Sequence, residues 1–426
     1  MRQRTLSTSF AWLGLGLLLG LGIRLLLAFV PGYVGDQDSW AILARNAVLQ
    51  GVPHVYALTL RQPELGIYPP LYHYLLALVG IIYQQFFSAS LALPSGVMNF
   101  LLKLVPILGD CAISLLIYAG VRRLADDRIA LGAALIYLFS PAVILTSAYW
   151  GMFGDSIYTF CVLLALLAVS MKRPNLALIS IVAAVSIKPQ AVIFLPIIIW
   201  AVLKSTRPRQ GLQAGMVGAL ALGVVWLPFF AAGTFSEALA ALQQTIGLFP
   251  ILSANAHNGW YLFSLGHSWV SDATPLIGPL TARTIGLMVF GGLYLYLLYR
   301  SYKTTLTGQQ LCLLAAYIAF AFFMLSTEMH ENYIFPTLVL LTVSCWQSKF
   351  LSVLLLVLTV TAFANMALHD SLFRPTDLST TLLFARLAVL NSAINSIVFV
   401  LWTYYILLAV LQPQSKHISL GGFPKI

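Results

Sequence analysis

Long apolar runs separated by short polar ones make up the whole chain. Windows of about 20 residues, enough at 1.5 Å per residue to cross roughly 30 Å of hydrocarbon, recur from Leu6 to Gln412 with no soluble block between them. The first, residues 10–30, lacks a small-residue cleavage site and reads as a retained helix, with Arg2 and Arg4 holding the N-terminus in the cytoplasm. The next run, 71–87, is long enough to span, and charge decides against it. If it crossed, the loops RRLADDR (122–128), MKRPN (171–175) and KSTRPR (204–209) would all lie outside, against the positive-inside rule. The pattern therefore predicts one external loop over 31–99, with helices at 39–50 and 71–87 lying along the interface.

The remaining spans are predicted at roughly 100–121, 129–149, 154–171, 211–231, 283–300, 309–325, 333–347, 351–368 and 390–411. Residues 175–203 hold two short apolar halves that meet at Lys188-Pro189. Both flanks are basic and inside, so the pair goes up and comes down, which puts Lys188 near the outer side. The expectation is an all-α polytopic bundle of about twelve spans, forming a single membrane-embedded domain over 1–426, with a second long external loop at 233–282 and further spans over 283–426.

Composition supports this picture. Of 426 residues, 60% are hydrophobic and 8% charged, too few charges to cover a soluble protein of this size. The net charge of +10 comes from basic residues in short loops, where it sets orientation, so no nucleic-acid partner is expected. On this threading 15 of the 23 lysines and arginines are cytoplasmic, whereas Asp126 and Asp127 are the only ones of the 13 acids on that side. The excess of acid outside points to an external functional surface. Cys111, Cys161, Cys312 and Cys345 fall in apolar segments without metal-ligand spacing and read as packing residues.

Several short stretches carry chemistry. In YVGDQDSW, Asp36 and Asp38 follow span one; either one can cap the helix that Trp40, Leu43, Ala44 and Ala47 outline, and one cap leaves a second carboxylate to explain beside lipid. YPPLYHY gives Tyr68 and Tyr72 either a place in an interfacial aromatic belt or a sugar-stacking role, with Pro69 and Pro70 stiffening the approach. Asp155 opens a span from outside, as a cap or as a ligand contact. The loop SANAHNGWYLF packs Asn255, His257, Asn258 and Trp260 closely enough to suggest ligand contact. TEMHENY carries Glu328, His330 and Glu331; adjacent His330 and Glu331 do not make a metal site by themselves, and no metal or other cofactor is expected. Lys188, Arg283 and Arg374 are outer cations able to snorkel or to hold a phosphate.

In order along the chain, GDQD, YPPLYHY, IKPQ (187–190) and MHENYIFP (329–336) resemble the GT-C glycosyltransferases, specifically the dolichyl-phosphate-glucose-dependent glucosyltransferases and the bacterial polyprenyl-phosphate mannosyltransferase-like proteins. The resemblance spans most of the chain up to about residue 340. It implies a catalytic module over 100–232 and transfer of a hexose, mannose or glucose first, from a polyprenyl-phosphate donor to a glycan, lipid or protein hydroxyl on the external or lumenal face. By the motif match, Asp36 is the catalytic base and Asp38 falls where relatives carry a second acid. His330 and Glu331 match a His-Glu pair, while Asn332 stands where relatives have Lys or Arg, so the donor phosphate falls to Lys188 or Arg374. The compact length favours a bacterial plasma membrane as the setting, with the endoplasmic reticulum expected if the source is eukaryotic. A lipid-linked glycan flippase or transporter is the alternative; a lipid-diphosphate glycan polymerase, which wants a large basic external loop, ranks below both.

Overall fold

The computed structural model describes residues 2–245, 247–370, 372–373 and 377–411. They form an almost entirely helical protein. In chain order the helices are α1 (Arg2–Ala28), α2 (Val34–Gln50), α3 (Val55–Arg61), α4 (Pro70–Phe86), α5 (Gly96–Val121), α6 (Asp127–Leu138) and α7 (Pro141–Ile144). Next come α8 (Asp155–Ser170), α9 (Pro174–Ile187), α10 (Leu195–Ser205), α11 (Pro208–Ala231), α12 (Phe235–Gln244) and α13 (Gly259–Phe263). The last five are α14 (Ala282–Tyr302), α15 (Gly308–Leu325), α16 (Phe335–Thr342), α17 (Lys349–His369) and α18 (Leu378–Tyr405). A two-stranded hairpin, Pro275–Ile277 with Leu280–Thr281, leads into α14.

Seven helices are long and apolar enough to cross a bilayer, and an eighth span results if α6 and the segment Pro141–Tyr149, bent by 46°, count as one. This is a multi-pass helical membrane protein. The bend has two local causes: Pro141 denies α6 a donor, and Leu145–Tyr149 is wound as a π-turn. Three shorter apolar helices, Asp155–Ser170, Pro174–Ile187 and Pro189–Ser205, accompany the long ones. The break between the last two falls at Lys188, whose extended backbone (φ −140°, ψ 130°) follows from the proline after it. Both expected helices of the 31–99 region form, as α2 and α4. α18 begins at Leu378, about three turns of helix before the expected 390, because Asp377 caps it by accepting from the Thr380 amide at 2.8 Å.

Burial separates centre from periphery. In α15, 72% of the apolar window is enclosed by protein, against 17% in α11, whose Leu212, Met216, Leu220 and Leu227 face outward to where lipid would be. Deep in the bundle Arg24 and Asp110, both fully buried, form an ion pair at 3.0 Å. Asp110 also accepts from Tyr137 at 2.8 Å, Ser147 at 2.5 Å and Ser156 at 2.7 Å. A buried carboxylate costs several kcal/mol unless its lone pairs are filled, and here one carboxylate ties together α1, α5, α6, the π-turn and α8.

The loop that carries Asp36 is fixed from below. Lys103 Nζ donates to the carbonyls of Val30 at 2.6 Å and Tyr149 at 2.8 Å, joining the end of α1 to the end of the π-turn. Gly32 lies directly over that carbonyl with φ +68°, and a Cβ there would stand 1.9 Å from Tyr149 O. Only glycine lets the chain turn so closely. α2 then packs against α4 at small residues: a Cβ on Gly80 would meet Ala44 O at 2.9 Å. Trp40, Leu43, Ala44 and Ala47, the face read from helical spacing, are the buried side of α2.

Candidate functional site

Five stretches distant in the chain line one cavity of about 770 Å³. From α2 comes Asp36, from the stiffened approach to α4 come Tyr68 and Tyr72, from the α9 break comes Lys188, from the loop between α12 and α13 comes Asn255, and from the segment after α15 come His330 and Glu331. The remaining wall is mostly apolar, with Val192, Leu222, Trp226 and Phe322 among the lining residues.

Asp36 sits in the first turn of α2, and no side chain caps that helix. Its neighbour Gln37 is fully buried and donates to Trp150 O at 2.9 Å, which fixes the turn on the segment after the π-turn. Trp150 in turn donates from its indole to Asp370 at 2.6 Å, and Tyr149 donates to the other oxygen of Asp370 at 3.0 Å. The Asp36 carboxyl is raised from 3.8 to about 6 by burial, with Lys188 pulling it down and Asp155 pushing it up. It is therefore largely ionised at pH 7 yet poorly solvated, a state in which a carboxylate accepts a proton readily.

Lys188 is paired with Asp155, which opens α8 and is 1% exposed. Asn332 Nδ2 donates to the other Asp155 oxygen at 2.5 Å. The residue that replaces the expected Lys or Arg thus holds the carboxylate that holds the lysine. The Lys188 ammonium also lies 5.1 Å from the Tyr333 ring and 5.8 Å from the Tyr158 ring.

Glu331 is 5% exposed and accepts from Asn255 at 3.2 Å. Burial first, then its own position near Asp36, raises its carboxyl from 4.5 to about 7 against the opposing hydrogen bonds. His330, lowered to about 4 by burial and then by Lys188, is a neutral imidazole at pH 7. Asn255 (φ +61°) and Glu328 (φ +63°) both line the cavity in left-handed backbone, which costs about 1 kcal/mol or more for a residue such as glutamate. Arg283 holds Glu328 there at 2.6 Å and forks onto buried Asp272 with two bonds of 3.0 Å.

One wall is aromatic. Tyr68 and Tyr72 stack at 3.9 Å with 10° between their planes, and Trp40 donates to Tyr68 Oη at 3.3 Å. Such stacked faces suit the C–H face of a pyranose ring.

Other residues singled out from sequence lie elsewhere. Asp38 is half-buried on α2 and does not line the cavity. His257, Asn258 and Trp260 also lie off it, and each serves the loop's attachment to the bundle. His257 meets His369 at 3.0 Å and Asn391 at 2.7 Å, Asn258 caps α13 and bonds the carbonyls of Phe323 and Ser326, and Trp260 bonds Leu325 O at 2.8 Å. Arg374 lies outside the described residues. Trp150, Asp370 and Lys103, which support Asp36, were not singled out from the sequence. Comparison with known protein families and with curated proteins finds no match to this chain.

Proposed function

We propose that this chain is a GT-C type glycosyltransferase that moves a hexose, mannose or glucose first, from a polyprenyl-phosphate donor to an acceptor hydroxyl on the external or lumenal face. The single observation that carries the reading is the convergence of the four motif stretches on one cavity, where a poorly solvated carboxylate stands in the field of a buried lysine. Seven helices, or eight spans with the bent pair, have the length and apolarity to cross; the twelve crossings of this reading need in addition the three shorter apolar helices and the segment 333–347, where α16 has eight residues.

In the proposed reaction, Asp36 removes the proton of the acceptor hydroxyl as its oxygen attacks the anomeric carbon. The bond from that carbon to the phosphate oxygen breaks, and the electron pair leaves with the polyprenyl phosphate. One displacement inverts the configuration and needs no covalent intermediate. Lys188, held by Asp155, which Asn332 holds in turn, faces the phosphate; Tyr68, backed by the stacked Tyr72, offers its free face to the sugar; neutral His330 and the Asn255–Glu331 pair offer hydrogen bonds to its hydroxyls. The apolar residues Val192, Leu222 and Trp226 give the lipid tail a path along the wall.

The test is transfer from a panel of radiolabelled polyprenyl-phosphate sugars by the purified protein in lipid. The reading expects transfer from at least one donor. Protein that transfers from none, yet moves a lipid-linked sugar across the bilayer, would be the flippase alternative.

A further inference from the structure

Ser186 lies in the last turn of α9, two residues before Lys188. It is 3% exposed, it lines the cavity, and its hydroxyl has no hydrogen-bond partner. A helical hydroxyl can return its proton to the carbonyl four residues earlier, as Thr146, Ser147 and Thr342 do at 2.8, 3.0 and 2.7 Å. Ser186 does not. Thr159 and Thr337 are unpaired too, but among the described residues Ser186 and Thr245 are the hydroxyls that combine lack of a partner with a place on the cavity wall.

The local backbone explains why this hydroxyl stands where it does. The helix breaks at Lys188, and the chain on both sides of the break, Val185 and Ser186 before it and Lys188, Pro189 and Gln190 from it onward, lines the cavity. Lys188 by itself is a weak anchor for an anion, because its charge is already met by Asp155. A phosphate placed beside it needs neutral donors to fill its remaining lone pairs. A buried hydroxyl without a partner is unfavourable in the free protein and is satisfied once a ligand supplies the acceptor.

Resting on the glycosyltransferase reading, we propose that Ser186 is a ligand-binding residue whose hydroxyl donates to a phosphate oxygen of the lipid-linked donor, beside Lys188. Nothing in the sequence marks it, since it is a serine in an apolar helix.

The test compares wild type, Ser186→Ala and Ser186→Thr, purified in lipid nanodiscs, for binding of a polyprenyl-phosphate hexose and for thermal unfolding without ligand. Ser186→Ala should bind about 10-fold more weakly, and Ser186→Thr, which keeps the hydroxyl, within about threefold of wild type. Without ligand, Ser186→Ala should unfold at the same temperature as wild type or higher, because an unpaired buried hydroxyl has gone. Inorganic phosphate should compete for binding, and Ser186→Ala should weaken that competition in proportion. If wild type binds the donor and Ser186→Ala binds it equally, this inference alone is overturned. If the ligand-free alanine variant loses stability, the hydroxyl has a partner in the protein and the inference fails. Competition by inorganic phosphate that the alanine variant leaves unchanged overturns the phosphate assignment. Wild type that binds no polyprenyl-phosphate sugar overturns this inference and the function together.

Discussion

Lowering the pH from 7 to 5 removes the proposed base without touching the sequence. With the Asp36 carboxyl at about 6, about nine-tenths of it is ionised at pH 7 and about one-tenth at pH 5. The ratio kcat/KM for the donor, which reports the groups of the free protein, should therefore fall about tenfold over that interval, with a slope near one below pH 6. A carboxylate at its ordinary 3.8 would stay about nine-tenths ionised at pH 5, and the rate would hardly change. Lys188→Met sharpens the test. Losing the ammonium removes the charge that lowers Asp36, and it leaves Asp155, which raises it, without its cation. Both effects have the same sign, so the acidic limb moves above pH 6 in the variant. The assay is the initial rate of sugar transfer in nanodiscs from pH 4.5 to 8, with thermal unfolding measured at each pH to separate titration from loss of fold. A rate that is flat between pH 7 and 5, or a limb that stays put or falls in Lys188→Met, would refute the reasoning.

Two further predictions concern the frame. Arg24→Met leaves Asp110 buried with three hydroxyl donors and no cation, and should destabilise the protein by about 3–5 kcal/mol; adding Asp110→Asn should recover part of that, and a thermal shift in detergent reads both. A single Arg24→Met that unfolds with wild type would contradict the role given to the pair. Gly32→Ala places a methyl against Tyr149 O in left-handed backbone, so the loop before Asp36 must move; kcat should fall by about 10-fold or more while donor binding at Lys188 changes little, which kinetics paired with equilibrium binding will show.

The sequence announced most of the helices because apolar length is a strong signal, and it located the α9–α10 break because proline forbids the α conformation before it. The bend at Pro141 and the early start of α18 were not legible: one depends on a π-turn and the other on an Asp377 cap, both hidden inside or beside apolar sequence. Asp36 after Gly35 and Tyr68 before two prolines, both in short motifs next to backbone punctuation, are among the candidate site residues found on the cavity wall, as are Asn255, His330 and Glu331. The amide-rich loop shows why polar density misleads. His257, Asn258 and Trp260 spend their hydrogen bonds on carbonyls and side chains of α15, α17 and α18, and a loop that must satisfy buried backbone looks, in sequence, like a loop that binds a ligand. Lys103 escaped notice for the opposite reason, since a single polar residue in an apolar run reveals its partners only in three dimensions.

Sugar transfer by Asp36→Asn, measured beside binding of the same donor, decides whether this carboxylate is the base. The carboxamide keeps the size of the side chain and cannot take a proton at this pH. The account predicts transfer lowered by about 10²–10⁴ with donor affinity within a few-fold of wild type. Transfer at the wild-type rate in Asp36→Asn would contradict it.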